Sequence, residues 1–105
     1  MTRADLAPPD RYVMKLYIAG MGTRSQRAIE EIRGICAEHL GGRCELEVVD
    51  LYEVPEVARP AQIVAAPTLV RELPLPVRRL VGDLSDRARV LYQLDLGPRP
   101  PGRAA

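Results

Sequence analysis

Cys36, His39 and Cys44 lie close together in the sequence, and their side chains are the kinds that bind zinc or carry thiol chemistry. A structural zinc site needs four ligands in a tetrahedron. Three candidates, one on the apolar face of a helix and one in a strand, make a poor set, so no metal is expected. Thiol–disulfide catalysis needs two cysteines as C-x-x-C at a helix start, where the dipole and the neighbouring Cys lower the attacking thiol's pKa. The corresponding strand-to-helix turn is Gly20-Met21-Gly22-Thr23-Arg24-Ser25, which has no cysteine. A redox protein using Cys36 or Cys44 is therefore kept only as the alternative reading. A disulfide between the two cysteines stays open, but two thiols in an intracellular chain are more often free and buried, and that is the expectation here.

The same turn resembles a phosphate cradle, because helix N-termini bind anions. It lacks a third glycine and a Walker lysine, so a plain turn with Thr23 or Ser25 as N-cap fits better. Asp83 and Asp86 frame a second helix start, where capping accounts for acidic residues. The single histidine sits near a helix end and forms no Ser–His–Asp grouping. No catalytic residue and no cofactor are expected.

These residues have to be positioned by alternating strands and helices. "YVMKLYIA" (Tyr12 to Ala19) is rich in β-branched and aromatic residues and is closed by Gly20, as expected of a buried strand. From Ser25 to Leu40, Ala28, Ile29, Ile32, Ile35, Cys36 and Leu40 recur at helical spacing, with Arg27 and Glu31 placed to pair one turn apart. Gly41-Gly42 ends that helix. "CELEVVDL" (Cys44 to Leu51) alternates as a second strand, and a short βαβ crossover makes the two strands parallel. Pro55 starts a short element that Pro60 curtails. "PTLVREL" and "VRRLVG" form a hairpin across "PLP", and Leu84 to Leu94 reads as a helix capped by Asp83 or Ser85. The sum is βαβαββα, the thioredoxin-like order. "Ala66-Pro67-Thr68" then falls where such a domain places its cis-proline.

The chain has 105 residues, enough for one domain over residues 12–96, with disordered tails expected at 1–11 and 97–105. Fifteen basic and fourteen acidic residues leave a net charge of +1, which gives no electrostatic footprint for nucleic acid. No segment has the length of a membrane span or the core of a signal peptide, so a cytoplasmic location and no membrane partner are expected.

The segments "YVMKLYIAG", "SQRAIEEIRGIC", "LEVVDLYEVPEVA", "IVAAPTLVRELPLPVRRLVGDLSD" and "VLYQLDL" together resemble the circadian clock protein family KaiB. The resemblance spans Tyr12 to Leu96. Its most specific part is Ala66-Pro67-Thr68-Leu69 with Leu73-Pro74-Leu75-Pro76-Val77-Arg78-Arg79 and Gly82-Asp83-Leu84-Ser85-Asp86. It implies a non-enzymatic partner of the hexameric ATPase KaiC. It also implies a metamorphic chain, with a resting βαββααβ form that is a homo-oligomer, a tetramer or dimer. A rarer thioredoxin-like monomer would bind the KaiC ring, compete with a KaiB-like sensor domain of a histidine kinase and, where present, recruit a KaiA-like protein.

On that reading Pro67, Pro74 and Pro76 belong to a switch, since each proline fixes φ and removes a donor, so neither packing can complete its ladder. Exchange of X-Pro isomers over tens to hundreds of seconds would slow interconversion. Arg27, Glu47, Arg71 and Arg78 are the expected partner-binding residues. Three departures stand out from the family pattern. The first turn lacks a Thr-Pro pair, and Glu47 replaces a basic residue. Gln93 stands where glycine is frequent, which favours a helix there. Asp95, near a helix C-terminus, would oppose the dipole. A third reading is an interaction domain severed from a larger kinase.

Overall fold

A computed structural model describes residues 11–82 and 84–99. Apart from Arg11 and residues 97–99, the tails expected at 1–11 and 97–105 lie outside them, as does Asp83.

The central strand β1 (Tyr12–Ile18) runs between β2 (Cys44–Asp50) and β3 (Thr68–Leu73), with β4 (Arg78–Val81) beyond β3, giving the sheet order β2-β1-β3-β4. The β1–β2 pair is parallel, in register Tyr12↔Cys44 through Ile18↔Asp50, as a right-handed βαβ crossover requires. β3 is antiparallel to both β1 and β4. Helix α1 (Thr23–Ile35) continues into a π-helical turn, Cys36–Leu40, and α2 (Arg87–Gln93) closes the chain. Between β2 and β3 the only helical element is a 3-10 turn, Pro55–Val57, with proline at its start. The order is thioredoxin-like, as expected.

Alternation along the strands builds two cores. Met14, Leu16 and Ile18 of β1 meet Ile32 and Ile35 of α1, Leu80 of β4, and Val90 and Leu94 at α2. Burial of each such aliphatic side chain contributes about 1.5–3 kcal/mol. On the opposite face Tyr17, Val70 and Ile63 form a smaller cluster under the 51–63 connection. Arg79 fastens that connection, donating to the carbonyls of Ala61 at 2.7 Å and Gln62 at 3.2 Å.

Several local expectations are corrected. The α1 N-cap is Gly22, without a side-chain cap bond; Thr23 is already helical and Ser25 is buried. Asp86, rather than Ser85, caps α2, accepting from Arg89 N–H at 3.3 Å, while the other expected cap, Asp83, lies outside the described residues. The helix starts at Arg87, three residues later than its apolar spacing implies, because Leu84 is drawn into the core by a turn. Glu31 does not take Arg27 as its partner: its carboxylate accepts from Arg87 Nε at 2.9 Å. Cys36 and Cys44, expected as free thiols, are joined in a disulfide. The Gly41-Gly42 return, both residues at positive φ, brings the end of the helix beside the start of β2 and leaves the two Cα atoms 5.8 Å apart.

Candidate functional site

Two regions carry the sequence-derived candidates, and they are not one surface. The first is the turn between β1 and α1 with the side of the sheet it overlooks. Asp50 at the end of β2 holds this turn, accepting from the N–H groups of Gly20 and Tyr52, each at 2.9 Å. Gly20 has φ +80, a left-handed conformation that favours glycine, and the exposed Tyr52 ring lies over it. Arg27 projects from α1 into a cavity of about 350 Å³ shared with Thr23, Arg24, Pro67 and Leu84. Glu47 lies on the other face of the sheet, opposite Lys15 in the β1–β2 register. Arg27 and Glu47 are therefore separated by the sheet.

The second region is the proline hairpin. Ala66–Pro67, Leu73–Pro74 and Leu75–Pro76 are cis. Arg71 was expected at the partner surface but is 1% exposed. Its Nη1 donates to Leu94 O at 3.1 Å and Asp95 Oδ2 at 3.2 Å, its Nη2 donates to Pro76 O at 2.9 Å, and its guanidinium lies 5.8 Å from the centre of the Tyr12 ring. Tyr12 Oη also donates to Leu94 O. Arg78, on the exposed strand β4, approaches Asp95 at 3.8 Å. Asp95 follows the C-cap Leu94 at φ 64 and turns its carboxylate to these two arginines, which counter its charge at the helix end. Gln93 is the last residue of α2, in a hollow with Val81, Asp86 and Arg89. The structure thus brings Arg71, Arg78, Pro76 and Asp95 together and leaves Arg27 and Glu47 apart.

Sequence reasoning expects partner binding on the edge-strand and first-helix side, but it missed two features, one on that side and one at the last helix. One is a groove of about 400 Å³ between α1 and the edge strand β2, lined by Met21, Gln26, Ile29, Glu30, Arg33 and Val48. Its only signal was Met21, an apolar residue in a turn. The other is Arg87, which crosses over Gly34 to reach Glu31 and Glu38; the hydrogen bond to Glu31 is the main reason its pKa is raised.

No thiol stands at the start of α1. Both cysteines lie at or beyond its far end, so the chain does not place a catalytic thiol where a thioredoxin fold would use one. Among the described residues, no helix is long and apolar enough to cross a membrane.

A family model described as the KaiB domain matches residues 15–96. The circadian clock oscillator protein KaiB of Synechococcus elongatus is 44% identical over 91 residues, covering 87% of this chain and 89% of that protein. KaiB of Prochlorococcus marinus is 45% identical over 91 residues, covering 87% and 76%. Among solved structures, the N-terminal domain of Synechococcus elongatus SasA superposes with a TM-score of 0.67 at 22% identity, covering 85% of this chain and 88% of that one. Chloroplastic thioredoxin z follows with 0.62 at 18% identity, covering 84% and 81%. These two likenesses establish the fold.

Proposed function

This chain belongs to the KaiB family, whose named relatives are circadian clock proteins, and from that premise we propose that it is a non-catalytic clock or timer component. On this reading it binds the hexameric ATPase KaiC in the cytoplasm and regulates that protein's phosphorylation and ATPase cycle through slow fold switching. The observation that carries the reading is the pairing of an edge strand, β2, with the apolar floor of the Met21–Ile29–Val48 groove, both within the matched residues. An edge strand offers unpaired backbone donors and acceptors to another chain. Arg33 and Glu30 rim the groove with charge, Arg27 lines the separate cavity beside Pro67 and Leu84, and Glu47 and Arg78 present charge elsewhere on the sheet.

Switching of the second half is supported by how little regular structure holds it. β4 has four residues and α2 seven, while Leu75, Val77 and Val81 are more than half exposed. These apolar side chains would be covered by the resting βαββααβ packing or by further copies in a tetramer or dimer. A KaiA-like protein and a histidine kinase with a KaiB-like sensor domain are the further partners of this reading.

The test is to mix labelled protein with KaiC from the same organism, with ATP or ADP, and to follow fluorescence anisotropy over hours. A slow, nucleotide-dependent rise is expected. No complex under either nucleotide would overturn the reading.

A further inference from the structure

We propose that Cys36 and Cys44 form a reversible thiol–disulfide site that sets the order of edge strand β2, with the oxidised pair as the docking-competent state. The second part rests on the partner reading given above. The bond links the first residue of the π-helical turn to the first residue of β2, at the point where the β1–β2 register begins. Between them the chain is lightly held. Gly41 and Gly42 both have positive φ, and a Cβ on either would meet nothing within 4 Å. Backbone bonds from Gly41 to Cys36, from Arg43 to Leu40 and from Tyr12 to Arg43 complete the connection, with Leu40 as its buried anchor. The disulfide is thus the covalent tie across this glycine return.

Both cysteines are half-buried, at the margin of the main core. The chain has no other cysteine, so exchange within it has two end states. In a reducing compartment a disulfide of this kind is transient and serves to sense redox state.

The co-reactant is a dithiol. One of its thiolates attacks a sulfur of the pair; the S–S bond breaks, a mixed disulfide forms and the displaced thiolate takes a proton. The second thiolate then breaks the mixed disulfide, the released cysteine takes a second proton, and the reductant leaves as its own disulfide. Two electrons and two protons pass to the protein. Loss of the tie lets the 37–43 connection and the start of β2 fluctuate, and a partner docking there must then order them on binding.

The full chain is equilibrated with mixtures of reduced and oxidised dithiothreitol and trapped with a maleimide to read the thiol count. Amide hydrogen exchange is measured at each end state. A single two-electron transition is expected, with exchange across 37–48 at least about tenfold faster in the reduced protein and in Cys36→Ser/Cys44→Ser. Equal exchange rates in both states, or thiols that persist in the most oxidising mixture, would overturn the proposal. Binding to the ATPase partner is expected to be at least about fivefold weaker for the reduced form. Equal binding by both forms would overturn the control of docking while leaving the partner reading intact. If neither form binds, the partner reading fails and the exchange rates alone decide whether the site orders β2.

Discussion

Arg71 in β3 and Asp95, just beyond α2, are joined by a 3.2 Å ion pair between a buried guanidinium and a carboxylate that is 57% exposed. The pair is lopsided. Asp95 can regain water if the contact breaks, whereas Arg71 cannot, and its Nε already lacks a hydrogen-bond partner. Arg71 also satisfies the carbonyls of Leu94 and Pro76, so one side chain ties the proline hairpin to the end of the last helix. It acts as an internal strut of the thioredoxin-like form.

Removing the cation should therefore hurt more than removing its counter-charge. Arg71→Met is expected to destabilise this form by about 1–3 kcal/mol, because the Pro76 carbonyl loses its donor and the Leu94 carbonyl keeps only Tyr12 Oη. Asp95→Asn should lose about 1 kcal/mol or less, since solvent screens a half-exposed carboxylate. Urea denaturation followed by circular dichroism checks the ranking. Equal losses would mean that the charge pair, and not the carbonyl bonds, dominates.

Gln93 closes α2 at a position exposed to solvent, so its effect on the helix comes from backbone preference. Glycine there should weaken the helix by roughly 0.5–1 kcal/mol. The seven-residue α2 has little regular structure to spare, and the fold-switching reading predicts that Gln93→Gly shifts population away from the thioredoxin-like form. NMR secondary shifts over Arg87–Gln93 report this directly; unchanged helical shifts in the variant would sink the idea.

What was legible in the sequence follows from the range of the interactions involved. The βαβ half was readable because Met14, Leu16, Ile32 and Ile35 repeat with local periods that survive packing. The cap of α2 was misplaced because Leu84 is pulled into a core assembled from distant strands, which no local rule reports. Arg71 looked like a surface charge for the same reason. Nothing in "LVREL" shows that its guanidinium would find carbonyls at residues 76 and 94. The cysteines were read by compartment, whereas their pairing depends on a glycine return that folds the helix end onto β2.

Gly34 permits a second strut. A Cβ at this position would sit 2.5 Å from Arg87 Nη2, in the path by which that side chain reaches Glu31 and Glu38. Gly34→Ala alone would gain about 1 kcal/mol of helix preference. In this chain the added Cβ also crowds Arg87 Nη2, the flexible end of the bridge that joins α1 to α2, so the net gain in thermal stability should be smaller than the helix preference alone gives. In an Arg87→Ala background the obstruction is gone, and the same substitution should raise the melting temperature by about 4–8 °C per kcal/mol gained. Identical effects in the two backgrounds would show that Arg87 and Gly34 are uncoupled.

The α1–β2 groove gives a prediction on binding that is separable from stability. Met21 is 57% exposed at the groove mouth, whereas Ile29 and Val48 are more enclosed. Because its side chain contributes little to the core, Met21→Ala should leave the circular dichroism spectrum and melting temperature unchanged. If the ATPase partner docks along β2, the truncation removes an apolar anchor at the centre of the contact and should weaken binding by about tenfold, mainly through a faster off-rate. Glu47→Ala, on the opposite face of the sheet, should alter the on-rate and its salt dependence more than the off-rate. Stopped-flow anisotropy on both variants distinguishes the faces. A larger off-rate effect from Glu47 than from Met21 would move the docking site from the groove to the face of the sheet that carries Lys15 and Glu72, which already form an ion pair there.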